Sequence, residues 1–134
     1  MRQDPAAPHI APNEPWNRVL LDNVHPSGWK NPQPANKYDL VIIGGGPAGI
    51  LTARAAAVAG AKIALTERNL LGGVCLNAGC VPSKVLIRSA RLHEEMRDAT
   101  NFGARIPDEI QVDFPLVMER LRCRRASQPP RVGL

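Results

Sequence analysis

The chain has 134 residues, 44% of them apolar and only 4% aromatic, and a formal net charge of +5. That length holds one domain at most, and no apolar run reaches the ~18 residues that a membrane-spanning helix needs. The first residues, MRQDPAAPHIAPNEP, lack a basic start followed by an apolar core, so they do not read as a secretory signal. Three cysteines in such a chain point to a reducing, cytoplasmic setting, where a disulfide is catalytic rather than structural.

Residues 1–36 carry seven of the 13 prolines and no sustained periodicity. They read as an extended arm with a short helical turn near Trp16 to Leu21. Trp16, Val19, Leu20, Val24 and Trp29 are its apolar residues. An arm laid along its own domain is the simpler use for them, and docking on a partner the alternative. His25, before Pro26, is assigned no role.

A continuous apolar run follows, Leu40 to Ile43, as expected of a strand buried on both faces. It ends in Gly44-Gly45-Gly46-Pro47-Ala48-Gly49, which fits G-x-G-x-x-G with Gly44, Gly46 and Gly49 in the glycine slots. The first glycine allows the tight turn, the second lets backbone approach a pyrophosphate, and the third lets helix and strand pack closely. A helix is expected from Pro47, which suits a first turn because its missing N–H costs nothing there. The N-terminus of the helix, through Ala48 and Gly49, presents free N–H groups and a partial positive charge to an anion. The run Ala53 to Ala59 propagates this helix and Gly60 stops it.

A second apolar run, Lys62 to Thr66, leads into Glu67, 23 residues after Gly44. An acid about 20 residues along accepts hydrogen bonds from an adenosine ribose and repels a 2′-phosphate. The spacing therefore points to FAD or NAD rather than NADP, and the alternative is a solvated charge beside Arg68.

Cys75 and Cys80 follow, in GGVCLNAGCVPSK. Regular helix geometry separates residues five apart by roughly 8–9 Å, beyond the ~7 Å limit for a disulfide. If the two pair, the intervening backbone is distorted, and Asn77 and Gly79 tolerate unusual dihedrals. A position near a helix start also depresses a thiol pKa. Two buried, unpaired cysteines are the alternative. A zinc half-site fits poorly, because the spacing is wide and no ligand histidine follows nearby, so no metal site is assigned.

From about Gly73 the motif feeds a helix to roughly Asp98, with Val85, Leu86, Ser89, Ala90, Leu92, His93 and Met96 on its inner face. Arg88, Arg91, Glu94, Glu95 and Arg97 make a mixed-charge solvated face. After a connection over residues 100–107, Asp113 before Phe114-Pro115 reads as the N-cap of another helix through Val117, Met118 and Leu121. From Arg120 to Arg131 no helical period is evident. Five arginines there offer an anion-binding tail, but no aromatic residue interleaves with them and no nucleic-acid motif is present, so specific nucleic-acid binding is not expected. Cys123 is read as incidental.

GGVCLNAGCVPSK, following GGGPAG and an acidic strand end, closely resembles the class I pyridine nucleotide–disulfide oxidoreductases, among them dihydrolipoamide dehydrogenase, glutathione reductase and mercuric reductase. The segment VLLDNVHPSGWKNPQPANKYDLVIIGGGPAGI is most similar to the mercuric-reductase-like branch. The resemblance covers about Val19 to Arg122. It implies an α/β fold, a Rossmann-like FAD-binding β-α-β unit plus a redox-disulfide helix. It further implies FAD over Gly44, Gly46, Pro47, Ala48 and Gly49, with its ribose on Glu67 beside Arg68. The redox disulfide Cys75–Cys80 lies, with Gly73, Val74 and Lys84, against the flavin. Cys80 is similar to the cysteine that faces the ring as a charge-transfer thiolate, Cys75 to the interchange thiol that meets substrate, and Lys84 to a cation near the ring. In the family NAD(P)H reduces FAD, FAD reduces the disulfide, and the dithiol reduces a small-molecule disulfide or Hg(II) in a homodimer. The family histidine base lies near a far C-terminus in the partner subunit, so His93 is not that residue. The nicotinamide site and the dimerisation domain have no counterpart in the sequence. The expectation is therefore a fragment: an arm over 1–36, the front of an FAD domain over 37–122, and an irregular basic tail over 123–134 produced by a frameshift or early stop. A remnant that binds FAD weakly or not at all, without catalysis, is the competing reading.

Overall fold

A computed structural model describes residues 8–107 and 109–128. The arm contains more than a turn. Helix α1 spans Pro15–Val24, started by the Glu14 carboxylate, which accepts the N–H groups of Trp16 and Asn17, and by Pro15 in the first turn. Trp16, Leu20 and Val24 recur every four residues on one face, and Leu20 and Val24 are buried. The helix ends at His25, which stands before Pro26 and has left the helical region at φ −156° and ψ 62°.

Strands β1 (Leu40–Ile43) and β2 (Ile63–Thr66) pair in parallel, Leu40 opposite Ile63 and Ile43 opposite Thr66, with helix α2 (Pro47–Val58) as the crossover. Leu40 and Ile42 are half-buried, and Ile42 packs at the helix beside Gly49. Val41 and Ile43 alternate to the other face, where they are 57% and 90% exposed. Burial on both faces, expected from the apolar run, is thus not what these residues show: among the described residues one layer covers one side of the pair.

Two helices follow. Helix α3 covers Gly73–Asn77 and helix α4 Cys80–Asp98, with a break at Ala78-Gly79 in place of one continuous helix. A 3-10 turn, Ala99–Phe102, ends at Gly103. In α4 only Val85, Ser89, His93 and Met96 of the expected inner face are half-buried, a narrow stripe, whereas Leu86, Ala90 and Leu92 are exposed. One neighbouring helix covers one stripe, and α5 is that neighbour.

Helix α5 spans Phe114–Ala126, with the Asp113 side chain accepting the Leu116 N–H at 3.0 Å. The helix includes Cys123, Arg124, Arg125 and Ala126, which corrects the expectation of an irregular tail from residue 123; residues 129–134 lie outside the described part. No glycine or proline interrupts the chain between Pro115 and Pro129. The apolar period fails there because arginines occupy inward positions. Arg125 is half-buried, Arg122 pairs with Glu14 at 3.6 Å, and Arg120 reaches Ser89 Oγ at 3.4 Å.

The main apolar cluster lies away from the sheet. Leu20 and Val24 of α1, Leu76 of α3 and Ala126 of α5 form it, with Ile10, Trp16, Leu70, Leu71 and Val81 packed around them. The arm and the last helix therefore clamp the cysteine-bearing segment between them.

Candidate active site

At its third glycine the loop makes a backbone contact that leaves no room for a side chain. A Cβ on Gly49 would lie 2.0 Å from the Gly44 carbonyl oxygen, so α2 can start this close to β1 only without one. The same construction on Gly46 meets nothing within 4 Å. Open space therefore lies in front of the second glycine. Gly46 is the N-cap of α2 and supplies no side-chain cap, and Pro47 and Ala48 behind it are exposed, so the first-turn N–H groups keep their capacity for an anion.

Glu67 stands at the end of β2. Its Oε2 accepts the Gly45 N–H at 2.7 Å and its Oε1 the Asn69 N–H at 2.8 Å. Partial burial pushes the carboxyl up. The N–H groups of Asn69, Gly45 and Arg68 and the charge of Arg68 outweigh it and hold the group below its ordinary value. The sequence marks Glu67 as a ribose acceptor; its bond to the loop was not foreseen. Spare lone pairs remain on both oxygens for ribose hydroxyls. Arg68 is exposed and acts on Glu67 through its charge.

The cysteine segment is built onto this loop. The Gly72 N–H donates to the Gly45 carbonyl at 2.7 Å. Gly73, at φ +58°, lies so close that a Cβ there would sit 2.9 Å from Gly46 Cα. Val74 is 76% exposed, and its carbonyl accepts the N–H groups of Ala78 and Gly79 at 2.9 and 2.6 Å, which folds the chain back between the cysteines. Asn77 stays helical, and its Nδ2 donates to the Gly73 carbonyl at 2.8 Å and the Leu71 carbonyl at 3.2 Å. The distortion falls on Gly79, with φ −114° and ψ −101°.

Cys75 is half-buried within α3 and Cys80 is exposed as the first residue of α4; both are free thiols. They are neighbours. Interaction with the Cys80 side chain, then partial desolvation and the negative charge Cys80 acquires on ionising, push the Cys75 thiol up. The Cys80 N–H and the Lys84 ammonium, one turn into α4, act in the opposite sense and lose. For Cys75 this reverses the lowered thiol pKa expected near a helix start. Among the described residues no group of three or more His, Cys, Asp and Glu could hold a metal ion, and no helix is long and apolar enough to cross a membrane.

One contributor was missed. Arg125 Nη1 donates to the Asn77 carbonyl at 2.9 Å, between the two cysteines. The signal available in the sequence was the unbroken stretch after Phe114, which carries helix through Arg125.

Comparison with known proteins assigns a family. The pyridine nucleotide-disulphide oxidoreductase family matches residues 38–125. A dihydrolipoyl dehydrogenase of Zymomonas mobilis is 49% identical over 69 residues, 52% of this chain and 15% of that protein. The Bacillus subtilis enzyme of the same name is 43% identical over 86 residues, 64% of this chain and 18% of that protein. A third, from Acholeplasma laidlawii, is 37% identical over 86 residues, 64% of this chain and 26% of that protein. The chain thus spans about a quarter or less of each of these relatives. The matched segment begins just before β1 and runs through the glycine loop, Glu67, both cysteines and α5. The chain belongs to the pyridine nucleotide-disulphide oxidoreductase family.

Proposed function

We propose that this chain forms the flavin-adenine and redox-cysteine part of an FAD-dependent disulfide oxidoreductase. The observation that carries the reading is the seating of Gly72 and Gly73 directly on Gly45 and Gly46. It joins nucleotide loop and cysteine pair in one body, as electron transfer between them requires. FAD fits the residues present: the space before Gly46 and the first turn of α2 suit its pyrophosphate, and Glu67 its ribose. When bound, FAD supplies two-electron transfer from NAD(P)H to the cysteine disulfide.

The protein's own part is thiol chemistry. A Cys75 thiolate attacks a substrate disulfide, and one substrate thiolate leaves. Cys80 then gives up its proton and attacks the Cys75 sulfur of the mixed disulfide, the second substrate thiolate leaves, and Cys75–Cys80 is oxidised as the substrate becomes two thiols. Lys84 lowers the cost of the Cys75 thiolate that starts this sequence. The printed names of the relatives, dihydrolipoyl dehydrogenases, favour a disulfide or dithiol substrate. The mercuric-reductase-like branch remains as the reading in which the same two thiolates bind Hg(II), a soft ion. In either case no described residue is assigned to a nicotinamide or to the contact of a homodimer.

Ile43, 90% exposed, and Val41, 57% exposed, favour a second reading, a non-catalytic remnant with an open sheet. The visible spectrum of the purified chain, with released flavin counted per mole of protein, separates the two. Near-stoichiometric FAD supports the flavoprotein reading. A colourless chain that cannot be loaded overturns it.

A further inference from the structure

We infer that Arg125 is a positioning residue for the Cys75–Cys80 pair, holding the kinked backbone that lets the two sulfurs bond. The inference rests on the redox role proposed above. A disulfide between residues five apart is out of reach in a regular helix, so the chain must bend between them. It bends at Ala78-Gly79, and the peptide entering the bend carries the Asn77 carbonyl. That carbonyl ends α3, where acceptors have no partner within the helix. Arg125 Nη1 takes it at 2.9 Å, and a cation at a helix C-terminus is also the favoured charge.

The other arm of the guanidinium is anchored. Arg125 Nη2 donates to Asn17 Oδ1, and Asn17 is 2% exposed. Asn17 is held in turn by the Pro12 carbonyl, which accepts its Nδ2 at 2.8 Å, and by Glu14 Oε1, which accepts its N–H at 2.8 Å. Neighbouring bonds fix the same junction: Asn23 Nδ2 donates to the Ala126 carbonyl at 3.0 Å, and the Leu71 N–H to the Val24 carbonyl at 3.1 Å. Burial lowers the Arg125 pKa, with Glu14 opposing and Arg122 adding to the shift. A fork of donors meeting two fixed acceptors is a geometry lysine cannot copy. The N-terminal arm is thereby wired to the backbone between the cysteines.

The test equilibrates the full chain with glutathione redox buffers, in a Cys123→Ser background, and counts the Cys75–Cys80 disulfide by alkylation and mass. Arg125→Lys is expected to shift the equilibrium toward the dithiol by about tenfold, the scale of one charge-assisted hydrogen bond. Asn17→Ala shifts it the same way by less. By linkage, both variants lower the melting temperature of the oxidised chain more than that of the reduced chain, which a merely structural contact does not do. Equilibria within twofold of the parent, with equal melting losses in both forms, overturn the inference. Should Arg125→Lys fail to fold, the Asn17→Ala pair of measurements decides alone. A parent chain that forms no Cys75–Cys80 disulfide in the most oxidising buffer overturns the redox role itself, a separate result.

Discussion

Glu67 Oε2 accepts the Gly45 N–H at 2.7 Å, tying the end of β2 to the middle of the glycine loop. The carboxylate proposed to receive a ribose thus also stiffens the loop proposed to receive the pyrophosphate. Its pKa is held down in the folded chain, so its contribution to stability is complete above the unfolded value near 4.5 and is lost as pH falls through the lower, folded value. Glu67→Gln therefore destabilises the chain at neutral pH, and the difference from the parent closes below pH 4.5 in urea titrations run across that range. Glu67→Ala also weakens FAD binding by ~1.5–3 kcal/mol, the scale of a hydrogen bond to a charged group. Unchanged affinity places the ribose elsewhere.

The cysteine pair makes a second, opposite prediction. Contact with Cys80 is the first cause of the raised Cys75 pKa, so Cys80→Ala brings it down toward 9.0. Lys84→Met moves it further up, because the ammonium opposes the shift. The pH profile of iodoacetamide alkylation at Cys75, read peptide by peptide, reports both movements. Profiles that coincide in all three chains would show that the sulfurs do not sense one another.

Two glycines of one loop are expected to fail differently. Gly49→Ala places a methyl 2.0 Å from the Gly44 carbonyl oxygen, so helix and strand must part. The expected loss is ~1–3 kcal/mol of stability, as for other overpacked contacts, together with FAD binding. Gly46→Ala meets nothing within 4 Å and leaves the melting temperature near that of the parent. It nevertheless fills the space a pyrophosphate needs, and FAD affinity falls. Equal effects of both variants on melting would contradict the packing described for the loop.

The β-α-β unit was legible because each of its boundaries is local chemistry. Leu40–Ile43, the glycine loop, Pro47, Gly60 and Glu67 act within a few residues of themselves, and the strands and helix fall where they direct. The break between Cys75 and Cys80 was legible only as a condition of their pairing, because helix geometry excludes a disulfide across five residues. What the sequence concealed depends on contacts far apart in the chain. Arg125 reads as one charge of an anion-binding tail until α1 and α3 are placed around it; its partners Asn17 and Asn77 lie 108 and 48 residues away. Ile43 reads as buried because its residue type says so, whereas its exposure depends on which layers surround the sheet. Leu86 and Leu92 were misplaced for the same reason: a helical period names a face, not the width of the neighbour that covers it.

The arm supplies the last prediction. Leu20 is fully buried, against the cluster that also holds Leu76 of the cysteine segment and Ala126 of α5. Leu20→Ala leaves a cavity there and costs ~2–5 kcal/mol. In a chain this small, whose main apolar cluster among the described residues this is, that is a large share of the total. Val19, on the same helix, is 41% exposed, and Val19→Ala is expected to change stability by no more than about 0.5 kcal/mol. Urea unfolding of the two variants side by side decides whether the arm is part of the folded core. If it is, Leu20→Ala also increases hydrogen exchange at Leu71, whose N–H donates to the Val24 carbonyl across the same junction. If Leu20→Ala is as mild as Val19→Ala, the arm does not pack as described, and the path from Asn17 through Arg125 to the cysteines loses its anchor.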